Sequence, residues 1–208
     1  MERRPAPSGE VLAREQSWQW EGITVLTARA EVPQFAGISR REKRFDRYYA
    51  QLARTYLARC GQTLFPRAAE ECRAAMARSA PWQRMDAALR GTVLAPSDTH
   101  MSVTLELCEG CGGSLRVVRR FAEVWDLSAM LPVPLAEWFP PHTNVARRLR
   151  SRARELALDA GPSRCVLRAE SYGLTEEGLC ILCRNGAQLV LPWDAERGPF
   201  PLPRRAEQ

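Results

Sequence analysis

No stretch of this 208-residue sequence approaches the ~20 consecutive apolar residues that a membrane helix needs, so no membrane span is expected. The first residues, Met1-Glu2-Arg3-Arg4-Pro5, are charged and lead into no apolar segment; no signal peptide is expected, and the chain reads as cytoplasmic. Lysine is nearly missing: of 30 basic residues only Lys43 is a lysine. The formal charge of +6 therefore reflects arginine usage of the kind a GC-rich genome imposes more than a selected polyanion site. Histidine is scarce as well. His100 and His142 each lie beside a turn and read as surface residues, and neither neighbours a nucleophile motif, which leaves a histidine-based hydrolase without support. No Walker-type loop and no Gly-x-Gly-x-x-Gly occurs, so nucleotide binding through those motifs is not supported.

What is present is an ordinary globular composition, 45% hydrophobic and 26% charged, which excludes a mostly disordered chain and a small disulfide scaffold. The seven cysteines are odd in number, and without an export signal they are expected as reduced thiols. Two pairs stand out. Cys108-x-x-Cys111 lies in the Gly-rich stretch Glu109-Gly110-Cys111-Gly112-Gly113, read as a loop, and Cys180-x-x-Cys183 lies in a strand pattern. Four thiolates so paired can hold a tetrahedral zinc ion. Against that, residues i and i+3 of a strand point to opposite faces, and the pairs are far apart in sequence. The cysteines therefore read as buried or incidental, with no cofactor, and a zinc module on Cys108, Cys111, Cys180 and Cys183 is the alternative.

Along the chain, residues 1–17 carry Pro5, Pro7 and Gly9 without periodicity and read as a flexible tail, with at most one helical turn near Val11-Leu12. Residues 22–32 read as a strand closed by Pro33. Ser39, with Glu42 three residues on, forms a capping-box signature that opens a long helix. Its apolar stripe is Phe45, Tyr49, Leu52, Tyr56, Cys60, Leu64, Ala68, Cys72 and Ala75, and Gly61 and Pro66 predict a kink or break at 61–66. Strands follow at 86–94, 101–108 and 115–125, read as an antiparallel meander with a turn at Pro96-Ser97-Asp98. A short helical turn covers 135–139. A helix capped by Thr143 or Asn144 runs to about Asp159 and stops at Gly161-Pro162. A hairpin joins 178–183 to 187–192 through Asn185-Gly186. The fold class is therefore α+β, a mostly antiparallel sheet packed against one long kinked helix and a second shorter helix. Residues 18–195 are expected as a single domain, with a Pro/Arg-rich tail at 196–208.

Several of these segments, in order, are similar to a known family: Arg44-Phe45-Asp46-Arg47-Tyr48-Tyr49, the strand and loop ending in Gly112-Gly113, Val124-Trp125-Asp126-Leu127, Pro134-Leu135-Ala136-Glu137-Trp138-Phe139-Pro140, and Tyr172-Gly173-Leu174-Thr175-Glu176-Glu177-Gly178-Leu179. Over residues 20–194 the chain resembles the domain of unknown function in the ectodomain of RsiV-type anti-sigma factors, without their membrane helix and sigma-binding segment. The family's loop continues Gly-Gly-Ala-His, where this chain has Gly112-Gly113-Ser114-Leu115. The resemblance implies an α/β fold and a protein-binding, non-enzymatic role. Lysozyme, the family's ligand, enters as a partner only through that analogy.

The remaining groups weigh toward packing. Arg147, Arg148, Arg150, Arg152 and Arg154 lie opposite Val145, Leu149, Ala153 and Leu156, as in a solvated amphipathic helix with no interleaved aromatics, so nucleic acid is not expected as a partner. Glu176-Glu177 reads as a solvated pair. Phe45, Tyr48, Tyr49 and Tyr56 read as core, and Trp82, Trp125, Trp138 and Trp193 as core or its rim. Trp18 and Trp20 are the partner-binding candidates, their other reading being a lid folded on the sheet. The expectation is a non-catalytic binding domain with a protein partner, no catalytic residues and no membrane association.

Overall fold

The computed structural model describes residues 11–35, 39–94, 99–139, 141–155, 167–183 and 188–192, with backbone alone at 152–155, 167–170, 183 and 191–192. Elements run β1 (Val11–Trp20), β2 (Ile23–Pro33), α1 (Glu42–Arg59), a π-helical turn (Cys60–Leu64), α2 (Phe65–Ala77), β3 (Met85–Leu94), β4 (His100–Cys111), β5 (Ser114–Asp126), β6 (Leu131–Val133), a 3₁₀ turn (Leu135–Trp138), α3 (Val145–Glu155), β7 (Leu167–Leu174), β8 (Gly178–Cys183) and β9 (Gln188–Pro192). β1 to β6 form one sheet in sequence order, and β7-β8-β9 form a second. The α+β expectation holds. By its contacts the chain divides into two compact units, one of residues 1–92 and 105–120, the other of 93–104 and 121–208.

In the first unit, residues 11–17 are part of a strand where the sequence reading had a tail. β1 and β2 pair antiparallel from Val11↔Pro33 to Trp20↔Ile23, closed by Glu21 and Gly22 at φ 47° and 80°, the left-handed pair of a tight hairpin turn. The register shifts at Trp18/Gln19 and skips Val25. A bulge of this kind leaves both Val25 and Leu26 on the buried side. β2 and β3 pair in parallel, Leu26↔Met85 to Glu31↔Arg90. Parallel neighbours need a crossover, which α1, the π-turn and α2 supply.

The crossover helix begins as its sequence requires. Ser39 N donates to Glu42 Oε2 (3.0 Å) and Glu42 N to Ser39 Oγ (3.1 Å), a reciprocal capping box. Phe45, Tyr49, Ala53, Leu57, Cys60, Ala68, Cys72 and Ala75 are buried. Leu52, Tyr56 and Leu64, expected in the stripe, are half-buried, Tyr48, expected in the core, is exposed on the opposite side, and Ala53 and Leu57 take the centre. The predicted interruption is the π-turn: Phe65 N donates five residues back to Cys60 O, and Pro66, which has no N–H to give, opens α2.

The second unit is built around Trp138. Its Nε1 donates to the Tyr172 hydroxyl (2.7 Å), which donates to Val133 O (2.5 Å). Val124, Leu135, Phe139, Leu149, Leu174, Leu179, Ile181 and Leu189 pack with them. β7, which the sequence reading missed, pairs with β8, and Ser102 Oγ bridges both backbone groups of Leu174. Asn144 Oδ1 accepts from Arg147 N (3.0 Å), so Asn144 caps α3. His100, expected at the surface, is buried with its ring 5.1 Å from that of Trp138 and its Nδ1 2.9 Å from Thr99 Oγ1. His100 is the first residue of β4, on the face that packs against Trp138. His142 is exposed. The turn at 96–98, the helix end near Asp159, Gly161-Pro162, Trp193, the 185–186 turn and the 196–208 tail lie outside the described residues. No described helix is long and apolar enough to cross a membrane.

Candidate functional site

The paired cysteines are placed by strands. β4 continues through Cys111, so Glu109–Cys111 is strand where a loop was expected, and the reversal is confined to Gly112 and Gly113 at φ 59° and 86°. Two-fold alternation then separates the pair: Cys108 is buried and Cys111 exposed. Cys180 is buried on β8, its thiol 3.8 Å from Gln188 Oε1. Cys183 ends the same strand, described by backbone alone. Cys108 and Cys111 belong to the first unit, Cys180 and Cys183 to the second. Among the described residues no three His, Cys, Asp or Glu side chains gather as metal ligands do.

Burial pushes the Cys60, Cys108 and Cys180 thiols up from their ordinary values. For Cys60 a hydrogen bond with Tyr56 and the charge of Arg59 oppose the rise while Glu109 adds to it; for Cys108, Arg90 and Arg120 oppose and Glu106 adds. The Tyr56 phenol is raised by burial and by the neighbouring Cys60, Glu109 and Cys108. Tyr172 is raised by burial, partly offset by the Trp138 hydrogen bond. Each of these groups is held in its neutral form, the unreactive one for a nucleophile.

Trp18 and Trp20 sit on β1, both half-buried. Trp18 lies on the helix side of the hairpin, over the π-turn. A Cβ on Gly61 would be 2.9 Å from Trp18 Nε1 and 3.2–3.3 Å from two of its ring carbons, so the missing side chain at Gly61 makes room for the indole. Trp20 stands opposite Ile23 at the hairpin end.

The other face of β1, β2 and β3 is polar. Register places Glu15 opposite Arg29 and Ser17 opposite Thr27 on one side of β2, and Asp86, Ala88 and Arg90 opposite Thr27, Arg29 and Glu31 on the other. These residues line a groove of about 480 Å³. Its charges are largely paired among themselves: Arg29 with Glu31 (2.6 Å) and Arg84 with Asp86 (2.9 Å). Asp86 Oδ2 also accepts from Gly113 N (2.7 Å), and Arg84 O from Gly112 N (2.9 Å), which fastens the β4–β5 turn to β3. A second groove, of about 530 Å³, runs along α1 between Arg44, Arg47, Tyr48, Gln51, Leu52 and Thr55.

Two solved proteins share this fold. A DUF3298-family protein from Bacteroides fragilis matches with a TM-score of 0.57 at 11% identity, over 88% of this chain and 89% of that one. A DUF3298-family protein from Pseudomonas aeruginosa PAO1 matches with a TM-score of 0.52 at 17% identity, over 91% and 92%. No family model matches the sequence, and no curated protein does.

The DUF3298 likeness spans both units, so the fold of this domain of unknown function extends across nearly the whole chain. Of the residues singled out from sequence, Trp18 is absorbed by packing on Gly61 and the first cysteine pair is split between two faces. Sequence reasoning missed the two grooves. The signal for the sheet-face groove was the alternation of Glu15 and Ser17 with Thr27, Arg29 and Glu31; for the helix groove it was the spacing of Arg44, Arg47, Gln51 and Thr55.

Proposed function

We propose that this chain is a non-catalytic protein-binding domain of the kind found in the ectodomain of RsiV-type anti-sigma factors. The observation that carries the reading is the DUF3298 likeness over nearly the whole chain, taken with the order of the motifs from Arg44 to Leu179. The thiols and phenols held neutral by burial support a role without chemistry of its own. The test is crosslinked affinity capture from the organism that makes the chain, followed by reconstitution from purified components. The expected result is a protein that co-elutes with this chain in fixed ratio on size exclusion. Purified lysozyme is the first partner to mix, because the family resemblance names it. Repeated capture that returns no protein able to form such a complex overturns the reading.

A further inference from the structure

We infer that the solvent face of α1 is a docking surface for an acidic segment of a protein partner, one that presents an apolar side chain between carboxylates. The inference rests on the binding-domain reading and names the face and the partner chemistry.

α1 buries Phe45, Tyr49, Ala53 and Leu57. At 100° per residue the opposite sector collects Lys43, Arg44, Arg47, Gln51 and Arg54, with Arg40 just before the helix. From Arg40 to Arg54 this line of five cations spans about 21 Å at the helical rise of ~1.5 Å per residue. The segment's two carboxylates are turned to structural work: Glu42 accepts from Ser39 N and Asp46 Oδ1 from Phe35 N (2.8 Å). No ion pair among the described residues engages Arg40, Lys43, Arg44, Arg47 or Arg54. α2 shows the contrast, since its exposed Arg67 and Arg73 are matched by Glu71 and Glu70 on the same helix. Asp46 lies beside Arg40, Lys43 and Arg47, one carboxylate among five cations, and the surplus positive charge has its electrostatic complement in another molecule.

The groove selects among anions. Its floor is Tyr48, 43% exposed, and the half-buried Leu52; Arg44 and Arg47 stand at one end, Gln51 and Thr55 along the side. No carboxylate lines it. Phosphate contacts call for cations and donors, and an apolar floor between the arginines adds nothing to them. A bilayer surface would meet the arginines before Leu52, which sits below them. An aliphatic or aromatic side chain seated on Tyr48 and Leu52, with carboxylates against Arg44 and Arg47, satisfies every group in the groove. Tyrosine and arginine around an apolar pocket is also the composition that concentrates binding energy at protein interfaces.

The test uses the full chain and fluorescence anisotropy. The probe is a labelled synthetic peptide of Glu and Asp around a central Leu-Phe pair, compared with the same peptide carrying Gly-Ser at the centre, a DNA oligonucleotide, and vesicles of phosphatidylcholine with about 30 mol% phosphatidylserine. The expected result is saturable binding of the Leu-Phe peptide that weakens as NaCl rises from about 0.05 to about 0.3 M, with the Gly-Ser peptide several-fold weaker. Arg44→Glu/Arg47→Glu should lower affinity about tenfold or more, whereas Arg73→Glu/Arg78→Glu, in α2 and at its C-terminal cap, an equal change of net charge, should leave it within about twofold. Circular dichroism and a thermal melt establish that both variants fold. The proposal is overturned by no peptide binding, by equal loss in both variants, or by tighter binding of DNA or vesicles than of the Leu-Phe peptide. A captured partner retained by Arg44→Glu/Arg47→Glu overturns this docking face while leaving the binding-domain reading standing; absence of any partner strikes that reading itself.

Discussion

Gly61 joins two elements that sequence reasoning treated separately. It falls in the π-turn and leaves room for the Trp18 indole of β1. Gly61→Ala forces the indole to move and is expected to cost roughly 1–3 kcal/mol in urea denaturation, the range for overpacking. In a Trp18→Leu background the same substitution should cost measurably less, and equal costs in both backgrounds would show that the two residues are not coupled. Asp126 is a second residue whose role is set by its surroundings. Burial alone would raise its carboxyl. The Ser128 side chain, the Ala129 and Ser128 amides and the charge of His100 outweigh burial and hold it below the usual carboxylate range. A depressed carboxyl contributes stability above its unfolded value of about 3.9, and that contribution is lost as pH falls through the folded value. Asp126→Asn should therefore be less stable than the parent near neutrality, and the gap should narrow as pH drops below about 4. Thermal melts across that range check this, and a constant gap would refute it.

At the scale of elements, the helix boundaries follow from backbone donors that need partners. Ser39 and Glu42 satisfy one helix start and Asn144 another. Asn144→Ala should destabilise the protein by about 1 kcal/mol, the usual worth of an Asn cap, and Asn144→Asp should retain most of the stability. Denaturant midpoints with unchanged slopes measure both. The break near Pro66 was legible because proline has no donor to continue the ladder. The chain answers with a π-turn before the proline, and there Gly61 meets Trp18, a contact that no periodicity reports. β1 was illegible for a related reason. Arg14, Glu15, Gln16 and Ser17 give it little apolar alternation, because as an edge strand it has polar residues over most of its surface.

At the scale of the molecule, Cys60, Cys108, Cys180, Tyr56 and Tyr172 share one behaviour. Each is held protonated by burial, so each contributes stability in full below its unfolded value and loses it as pH climbs toward the folded one. The denaturation midpoint should fall progressively from about pH 8.5 upward, where free thiols ionise. A midpoint unchanged to pH ~10 would contradict it. In the native protein, iodoacetamide followed by peptide mapping should label exposed Cys111 well before buried Cys60, Cys72, Cys108 and Cys180. Early labelling of Cys108 would mean that β4 does not bury it.

The amino-acid sequence by itself determined the α+β class, the capping of α1 and α3, the break before Pro66, the strands β2, β4 and β5, and the pairing of 178–183 with 188–192. Each of these is written in local terms: a donor to satisfy, a φ to tolerate, an alternation of period two or 3.6. Only the tertiary structure decided that β2 and β3 run parallel, that β1 is strand, that His100 is drawn against Trp138, and that Cys108 and Cys111 face opposite ways. The same holds for α1, where Glu42 and Asp46 each give an oxygen to a backbone N–H and the cations outnumber the carboxylates beside them. These outcomes depend on which distant segments meet, and the free energy of such meetings belongs to both partners, so no single stretch of chain carries it.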